Sequence, residues 1–312
     1  MAVSGVIVVN KEAGMTSFGV VSRLRRIFDQ KKIGHTGTLD PDAEGVLPVC
    51  LGKATRLVER LSHGTKSYEA EMKLGVVTDT QDLSGTVLRT SEVCCTEEEV
   101  REAVLKFTGP QIQIPPMYSA VKVNGKKLYE LARKGIEVER KGRQVEFHQI
   151  EILEMELPYV KIAVTCSHGS YIRTLCHDIG ERLGCGAAMG HLLRTQVDDF
   201  SLSDALTLEE IQRRKEEEDS SEQAGKPYSF VIPPDRFYMD LPAYSVRKDF
   251  LRKCVNGIPV PFSQMNPLPG PHSDEEKMIR LYDPCGNWIG LFRKDDKKYR
   301  LEQYFYEDHA FN

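Results

Sequence analysis

The chain has 312 residues, of which 40% are hydrophobic and 28% charged, and its formal net charge is -4. This composition is ordinary for a soluble globular protein, and the length allows one large domain and a small one. No apolar run approaches the roughly 18 residues that predict a membrane span, and the first residues lack the pattern of a signal peptide.

The eight cysteines predict neither a zinc site nor a disulfide framework. No two of them form a C-x-x-C pair. Cys166 lies near His168 and Cys176 adjoins His177, but the spacing typical of zinc sites is missing. Free thiols are typical of a reducing compartment, so we predict a cytoplasmic protein without a bound metal.

Basic residues are concentrated in two stretches, although the chain as a whole is acidic. The first stretch comprises Arg23, Arg25, Arg26, Lys31 and Lys32, and the second lies within residues 122–143. A polyanion needs a basic face rather than a basic total. Solvated helix faces and a nucleic-acid-binding face both explain these stretches.

The first predicted elements are a strand, a helix and a loop. Residues 6–9 are continuously apolar and predict a buried strand, after which Thr16 or Ser17 caps a helix. The apolar positions of that helix, spaced three and four residues apart, are Phe18, Val21, Leu24 and Phe28. Residues 34–45 are rich in Gly, Pro and Asp, which predicts a loop. A short buried element at 46–51 and an alternating strand at 67–75 follow.

The next elements are marked by capping signals and apolar periodicity. Thr96-x-x-Glu99 and Thr207-x-x-Glu210 are capping boxes that each predict the start of a helix. Residues 126–134 predict a short basic helix that ends at Gly135. Residues 160–166 alternate as a strand, and a helix follows with four inward positions, namely Ile172, Leu175, Ile179 and Leu183. Residues 213–225 are charged and serine-rich, which predicts a frayed helix end or an exposed loop.

The tail predicts a separate, β-rich domain. Short strands are predicted at 278–282, 288–293 and 299–304. They follow several prolines near residue 240, which interrupt regular structure. We therefore predict a large domain over residues 1–239 and a small β-rich domain over residues 240–312. The fold class expected from all elements is α+β, with a mixed, largely antiparallel sheet in the first domain.

The most informative segment is the loop at residues 34–45, which presents the carboxylate of Asp40. Its three glycines allow close backbone approach, and Pro41 restricts Asp40 to extended geometry. A rigid, irregular loop that presents one carboxylate suits a positioned nucleophile. An Asp-Pro step taken alone is more typical of a simple turn.

Six strings in collinear order resemble one family. GHTGTLDP at 34–41, followed by GVL at 45–47, closely resembles the catalytic motif of the bacterial tRNA pseudouridine-55 synthases, the TruB family. The other matching strings are NKEAGMTS at 10–17, KSYEA at 66–70, TDTQD at 78–82, PPMYSAVKVNGKKLY at 115–129 and GSYIRTL at 169–175. Several independent strings in order form a strong signal, unlike a lone short motif.

The resemblance implies a role for particular residues of this chain. Asp40 is the implied catalytic aspartate, Tyr68 the residue that stacks on the target uracil, and Arg173 the partner of the aspartate. Leu192 is expected near the base, and His35 beside the RNA around the flipped nucleotide. Residues implied at or near the RNA also include Lys11, Lys126 and Lys127, the last two within an RNA-gripping insertion over about residues 118–142.

Elementary chemistry agrees with these implied roles. A uridine in folded tRNA must leave its stack before its glycosidic bond is accessible, and an aromatic face offsets part of that cost. Tyr68 is otherwise typical of a cross-strand packing residue. A guanidinium near Asp40 favours the ionised carboxylate by charge pairing. The isomerisation adds and oxidises nothing, so we expect no cofactor and no metal.

The resemblance also implies partners and leaves two alternatives open. We expect a pseudouridine-synthase-like catalytic domain with a tail of the PUA type, which acts on the T arm of tRNA as a monomer without a guide RNA. The sequence departs from the family pattern at Glu12, where proline usually follows the lysine, and at residues 191–195. The alternatives are an RNA-binding or RNA-folding protein whose chemistry is incidental, and a guide-dependent synthase acting on ribosomal RNA.

Overall fold

The computed structural model of the chain describes residues 2–221, 226–272 and 276–306. In chain order the described strands are β1 (Gly5–Lys11), β2 (Ile33–His35), β3 (Glu44–Leu51), β4 (Lys66–Leu74), β5 (Val76–Thr78), β6 (Val87–Thr90), β7 (Gly109–Gln113), β8 (Lys122–Val123), β9 (Lys126–Lys127), β10 (Arg143–Glu156), β11 (Tyr159–Cys166), β12 (Ala187–Val197), β13 (Phe200–Ser201), β14 (Ala243–Val246), β15 (Val260–Pro261), β16 (Met265–Pro267), β17 (Met278–Tyr282), β18 (Trp288–Asp295) and β19 (Lys298–Tyr304).

The described helices are fewer than the described strands. They are α1 (Ser17–Ile27), α2 (Val58–Ser62), α3 (Glu97–Leu105), α4 (Leu128–Ala132), α5 (Ile172–Leu183), α6 (Leu208–Asp219) and α7 (Leu251–Val255). Single 3-10 turns cover Gly52–Leu57, Leu202–Asp204, Pro234–Tyr238 and Phe262–Gln264. Within the described residues, none of the helices has the length and apolar character needed to cross a membrane.

The large sheet has nine strands and is mixed. Its order is β1-β3-β12-β4-β11-β10-β7, with β2 paired to β3 and β13 paired to β12. The pairing of β3 with β12 is parallel, whereas the other pairings in this sheet are antiparallel. The parallel contact matters for function because it places the loop that precedes β3 beside the middle of β12 and β4.

Two large apolar cores pack against this sheet. One core joins α3 and α5 to the alternating inward positions of β4, β10, β11 and β12. The other joins α1 and α6 to β1 and β3, with Val20, Val21 and Leu24 fully inward. Since successive strand residues point to opposite faces, alternation in β4 and β11 is sufficient to bury one side of each strand.

A second sheet of six strands follows in the order β15-β19-β18-β17-β14-β16. It has its own apolar core. A further apolar cluster joins it to the first part of the chain, where Trp288 and Phe305 stack with ring centroids 4.2 Å apart and lie in one cluster with Leu57 and Leu61. The predicted β-rich tail is thus confirmed, and it packs directly against the region around α2.

Most predicted elements are confirmed. The strands predicted at 6–9, 67–75, 160–166 and in the tail correspond to β1, β4, β11 and β17 to β19. Thr16 caps α1 by accepting a hydrogen bond from the Gly19 amide, and both capping boxes are present at Thr96 and Thr207. The loop predicted over 34–45 is shorter than expected. Residues 33–35 form β2, which pairs with β3, and residues 44–45 are the first residues of β3.

Three predictions about the helices were wrong. Phe18 is 62% exposed, because the buried face of α1 runs through Ser17, Val20, Val21 and Leu24 instead. The basic helix starts at Leu128, not residue 126, because Asn124 and Gly125 have positive φ and turn β8 back onto β9. Finally, α6 continues to Asp219, supported by ion pairs four residues apart, while residues 222–225 of that prediction lie outside the described part.

Candidate active site

The loop that carries Asp40 is held at several points along its backbone. The Ser17 hydroxyl accepts a hydrogen bond from the Leu39 amide at 2.8 Å and donates one to the Leu39 carbonyl at 3.1 Å. Upstream, the Thr36 amide donates to the Pro48 carbonyl at 3.1 Å. Downstream, Gly45 has a φ of +105°, and a Cβ added there would lie 2.2 Å from the Arg194 carbonyl oxygen. Only glycine therefore fits where β3 meets β12.

Arg173 binds the Asp40 carboxylate through two nitrogens. Its Nε lies 2.9 Å from Asp40 Oδ2, and its Nη2 donates to Asp40 Oδ1 at 3.2 Å. The Arg173 side chain is 6% exposed, whereas that of Asp40 is 39% exposed. The pair therefore joins a buried guanidinium to a carboxylate that solvent or a ligand can reach. Such side-by-side pairs give geometric specificity as well as attraction.

Three further acceptors fix the position of Arg173. Its Nη1 donates to the Thr80 carbonyl at 3.0 Å and contacts Asp82 Oδ2 at 3.5 Å. Its Nη2 also donates to the Tyr118 carbonyl at 2.9 Å. The sequence predicted Arg173 but not these partners. Asp82 was found only as part of the TDTQD string, without a role, and a backbone carbonyl leaves no signal in a sequence.

The protonation of Asp40 is set by opposing effects. Burial raises the pKa of Asp40 above its ordinary value, the Arg173 charge opposes this, and the Asp82 charge adds to it. The predicted charge pairing is present, but its expected consequence for the pKa of Asp40 is reversed by desolvation. An accessible carboxylate with a raised pKa is a stronger base than a free aspartate while it is ionised, which suits proton removal or nucleophilic attack.

Tyr68 and Leu192 lie together beside the Asp40 loop. Both belong to one buried cluster with Leu39 and Ala43, and Tyr68 is 8% exposed. Burial raises the pKa of the Tyr68 hydroxyl, so it is neutral at ordinary pH. A base that stacks on this ring would have to displace part of its apolar cover.

Lys11 and His35 lie on the two sides of the same loop. The Lys11 ammonium donates to the carbonyls of Glu12 at 2.8 Å and Pro41 at 2.9 Å, so it ties β1 to the residue after Asp40. Burial lowers the pKa of Lys11 to about 8. Burial and the Arg194 charge lower the pKa of His35, and its buried Nδ1 has no hydrogen-bond partner among the described residues. A neutral His35 is therefore expected.

Lys126 and Lys127 lie in the β8–β9 hairpin. Within the described part of the chain, neither lysine contacts Asp40 or Arg173. Lys126 is exposed, and Lys127 directs its Nζ to the Tyr129 hydroxyl at 3.4 Å. Lys127 and Arg133 both contact the Tyr129 ring, at 5.4 Å from its centroid. The segment over residues 118–142 joins the site at its first residue, through the Tyr118 carbonyl.

Arg194 is the residue that the sequence analysis missed most clearly. It is 1% exposed, and its Nε donates to the Val46 carbonyl at 2.7 Å while its Nη2 donates to the Gly37 carbonyl at 3.3 Å. Arg194 is paired with Tyr68 in the sheet register. A signal was available: Arg194 lies two residues after Leu192, which puts both side chains on the inner face of β12.

The family comparisons cover most of the chain. Residues 25–172 match the TruB family pseudouridylate synthase N-terminal domain, and residues 173–240 match the tRNA pseudouridylate synthase B C-terminal domain. The chain is 40% identical over 301 residues to tRNA pseudouridine synthase B of Clostridium kluyveri, with 96% of this chain and 99% of the relative covered. It is 48% identical over 254 residues to the protein of the same name from Alkaliphilus oremlandii, with 81% and 82% covered.

Solved structures share the fold over nearly the whole chain. A Cbf5–Nop10–Gar1 complex superposes with a TM-score of 0.66 at 27% identity, covering 97% of this chain and 85% of that chain. An H/ACA RNP bound to a substrate RNA containing 2′-deoxyuridine superposes with a TM-score of 0.65 at 25% identity, with the same coverage. These likenesses confirm the predicted fold class.

Proposed function

Because the chain belongs to the TruB family of pseudouridylate synthases, we propose that it isomerises uridine 55 in the T loop of tRNA to pseudouridine, with Asp40 as the catalytic carboxylate. Pseudouridine synthesis is the activity of the family. The observation that supports Asp40 is its ion pair with Arg173, at 2.9 Å and 3.2 Å, which holds a solvent-accessible carboxylate on a buried guanidinium.

The reaction breaks the N1–C1′ bond of uridine and forms a C5–C1′ bond; C5 loses its proton and N1 gains one, so the composition is unchanged. Ionised Asp40 attacks the ribose or the uracil ring, or assists loss of a ribose proton; the contacts of the free enzyme are compatible with each route. Arg173 keeps the carboxylate oriented and balances its charge when the site closes over the base. The Lys11 contact with the Pro41 carbonyl limits movement of the loop.

The target base must leave its stack to reach Asp40, and the apolar cluster beside the loop is suited to receive it. Tyr68 stacks on the uracil and Leu192 packs against it in this proposal, while His35 contacts the RNA around the flipped nucleotide. Stacking on an aromatic ring is worth about 1–3 kcal/mol, which is comparable with the few kcal/mol that flipping costs.

The remaining RNA contacts are assigned to two separate regions. The segment over residues 118–142, with Lys126 and Lys127, grips the T arm, and residues 240–312 form an RNA-binding domain after a catalytic domain over residues 1–239. The relatives' name, tRNA pseudouridine synthase B, supports tRNA as the substrate. The enzyme acts in the cytoplasm as a monomer, without guide RNA, metal or cofactor.

The test is pseudouridine formation on an unmodified tRNA transcript, mapped by carbodiimide labelling and primer extension, in the presence of EDTA. The wild type is expected to form one pseudouridine, at position 55. Asp40→Asn is expected to lower the rate more than about a thousandfold, because the carboxylate cannot be replaced by an amide of the same size. The matched control is Asp42→Asn, which removes one exposed carboxylate from the same loop and should keep the rate within about twofold.

The similarity to a structure described as an H/ACA RNP bound to substrate RNA keeps a guide-dependent synthase as a second candidate. A bare transcript distinguishes the two. Product on the transcript alone excludes a guide requirement. Tight binding of the transcript without product from the wild type would contradict the stand-alone proposal and favour either the guide-dependent enzyme or an RNA-binding protein.

A further inference from the structure

Gln81 has an unusual backbone conformation next to the Arg173 site. It lies in the turn between β5 and β6, and its φ is +66°, in the left-handed region that residues with a Cβ rarely adopt. Such conformations cost free energy and persist only where the surrounding structure imposes them. The contacts around Gln81 show what imposes this one.

The turn is bonded on two sides. On the side of β12, the Met189 amide donates to the Gln81 carbonyl at 3.0 Å, and the Leu83 amide donates to the Met189 carbonyl at 2.8 Å. On the side of α5, the Thr174 hydroxyl donates to Gln81 Oε1 at 2.7 Å. Thr174 is 2% exposed and directly follows Arg173 in the first turn of α5. The turn and the arginine are thus connected through one side-chain hydrogen bond.

The left-handed residue lies between the two residues that hold Arg173 Nη1. The Thr80 carbonyl and the Asp82 carboxylate, on either side of Gln81, both meet this nitrogen, at 3.0 Å and 3.5 Å. The path of the turn at Gln81 therefore sets the positions of both acceptors. With Nη1 held by these two acceptors, Nε and Nη2 remain directed at Asp40.

We propose that Gln81 is a positioning residue for the isomerisation, whose left-handed backbone and hydrogen bond to Thr174 orient Arg173 towards Asp40. This inference rests on the proposed role of Asp40. Gln81 is bonded to Thr174 and to β12, so in this proposal it acts through Arg173. Loss of the Gln81–Thr174 bond is expected to let the turn relax and Arg173 rotate away from its paired geometry.

Two matched pairs of variants test the proposal. Thr174→Val removes the hydroxyl while keeping the shape, and Thr174→Ser keeps the hydroxyl. Gln81→Gly allows the left-handed backbone but removes the side-chain acceptor, and its control is Asp29→Gly, at an exposed residue with φ +45° between α1 and β2. Thr174→Val and Gln81→Gly are expected to lower kcat about tenfold with KM changed less than about twofold, because small misplacements of catalytic groups are costly.

The pH dependence separates positioning from a merely structural role. Since Arg173 lowers the pKa of Asp40, a displaced guanidinium lets that pKa rise, and the acid limb of kcat moves to higher pH. Thr174→Ser and Asp29→Gly are expected to keep the wild-type kcat and acid limb. The double variant Gln81→Gly/Thr174→Val should be no slower than either single variant, because both remove the same bond.

A readout that needs no turnover completes the test. The Nε–H resonance of Arg173, identified by its loss in Arg173→Lys, is expected to be sharp and slowly exchanging in the wild type and Thr174→Ser, and broadened in Thr174→Val. An unchanged resonance, kcat and acid limb in Thr174→Val and Gln81→Gly, with only a lower melting temperature, would overturn the inference. Failure of the proposed function gives a different result. The wild type would then form no pseudouridine, or Asp40→Asn would keep the wild-type rate, and neither result depends on the Arg173 resonance.

Discussion

Two buried arginines flank the loop that carries Asp40, and they are used in opposite ways. Arg173 is bonded to carboxylates, those of Asp40 and Asp82, as well as to backbone carbonyls. Arg194 instead donates to the backbone carbonyls of Val46 and Gly37 and also interacts with the neutral Tyr68 hydroxyl. Arg173 therefore orients the Asp40 side chain and compensates its charge, whereas Arg194 fixes the backbone of the loop that carries Asp40.

The difference extends to the groups around each arginine. The charge of Arg173 opposes the rise in the pKa of Asp40. The charge of Arg194, after the larger effect of burial, lowers the pKa of both His35 and Lys66. A buried guanidinium whose acceptors are neutral thus acts on the titratable groups His35 and Lys66 without pairing with either, because burial weakens solvent screening. Arginine thus forms an ion pair on one side of the loop, whereas on the other side its positive charge acts on nearby groups without an ion pair.

The largest expected effect comes from Arg173→Lys. Lysine keeps the charge but cannot bind Asp40, Asp82 and two carbonyls in one plane. We expect kcat/KM on the tRNA transcript to fall about a thousandfold, which corresponds to about 4 kcal/mol of transition-state stabilisation. Single-turnover kinetics would measure it. A loss below tenfold would mean that charge alone, without the paired geometry, is sufficient.

Arg194→Met is expected to act mainly on stability. It leaves the Val46 and Gly37 carbonyls without their donor inside the protein, which costs about 2 kcal/mol in the free energy of unfolding, measured with urea. Activity should fall about tenfold because the loop loosens, but the acid limb of kcat should stay in place. A shifted acid limb would show that Arg194 acts on Asp40 directly, as Arg173 does.

The stability of the wild type and of Asp40→Asn should differ with pH in a defined direction. The pKa of Asp40 is raised in the folded protein, so between the ordinary and the raised value the folded state binds more protons than the unfolded state. The contribution of Asp40 to the free energy of unfolding therefore falls as the pH rises through that window. Urea titrations across the acid range should show the difference between the two proteins growing with pH in favour of Asp40→Asn and then levelling.

The smallest expected effect concerns Lys11. Its pKa of about 8 should be visible as one lysine side-chain resonance that titrates well before the others. Between about 8 and the ordinary value of 10.5 the unfolded chain binds more protons, so the contribution of Lys11 to stability rises with pH there. In Arg194→Met the pKa of Lys11 should rise slightly, because one of the causes that lowers it is removed. The same shift in Arg173→Lys would contradict the comparison.

Local sequence signals predicted the elements that depend on neighbours in the chain. The capping boxes at Thr96 and Thr207, the alternation in β4 and β11 and the strands of the tail needed only periodicity and short-range hydrogen bonding. Where an apolar residue lay outside the face that became buried, the prediction failed. In α1 the apolar residue Phe18 suggested one inward face, but packing against β1 and β3 selected Val20 instead.

The candidate site divides in the same way. The sequence by itself determined that one loop presents Asp40, and the resemblance of several strings added Tyr68 and Arg173 as candidates. Tertiary structure decided what these residues do to one another: that Arg173 meets Asp82 and the carbonyls of Thr80 and Tyr118, and that Arg194 lies buried under the loop. Those contacts join residues far apart in the chain, and two of the three acceptors are backbone carbonyls, which every residue possesses. Protonation belongs to tertiary structure for the same reason, since the direction of the Asp40 pKa follows from burial, and burial is a property of the packed sheet.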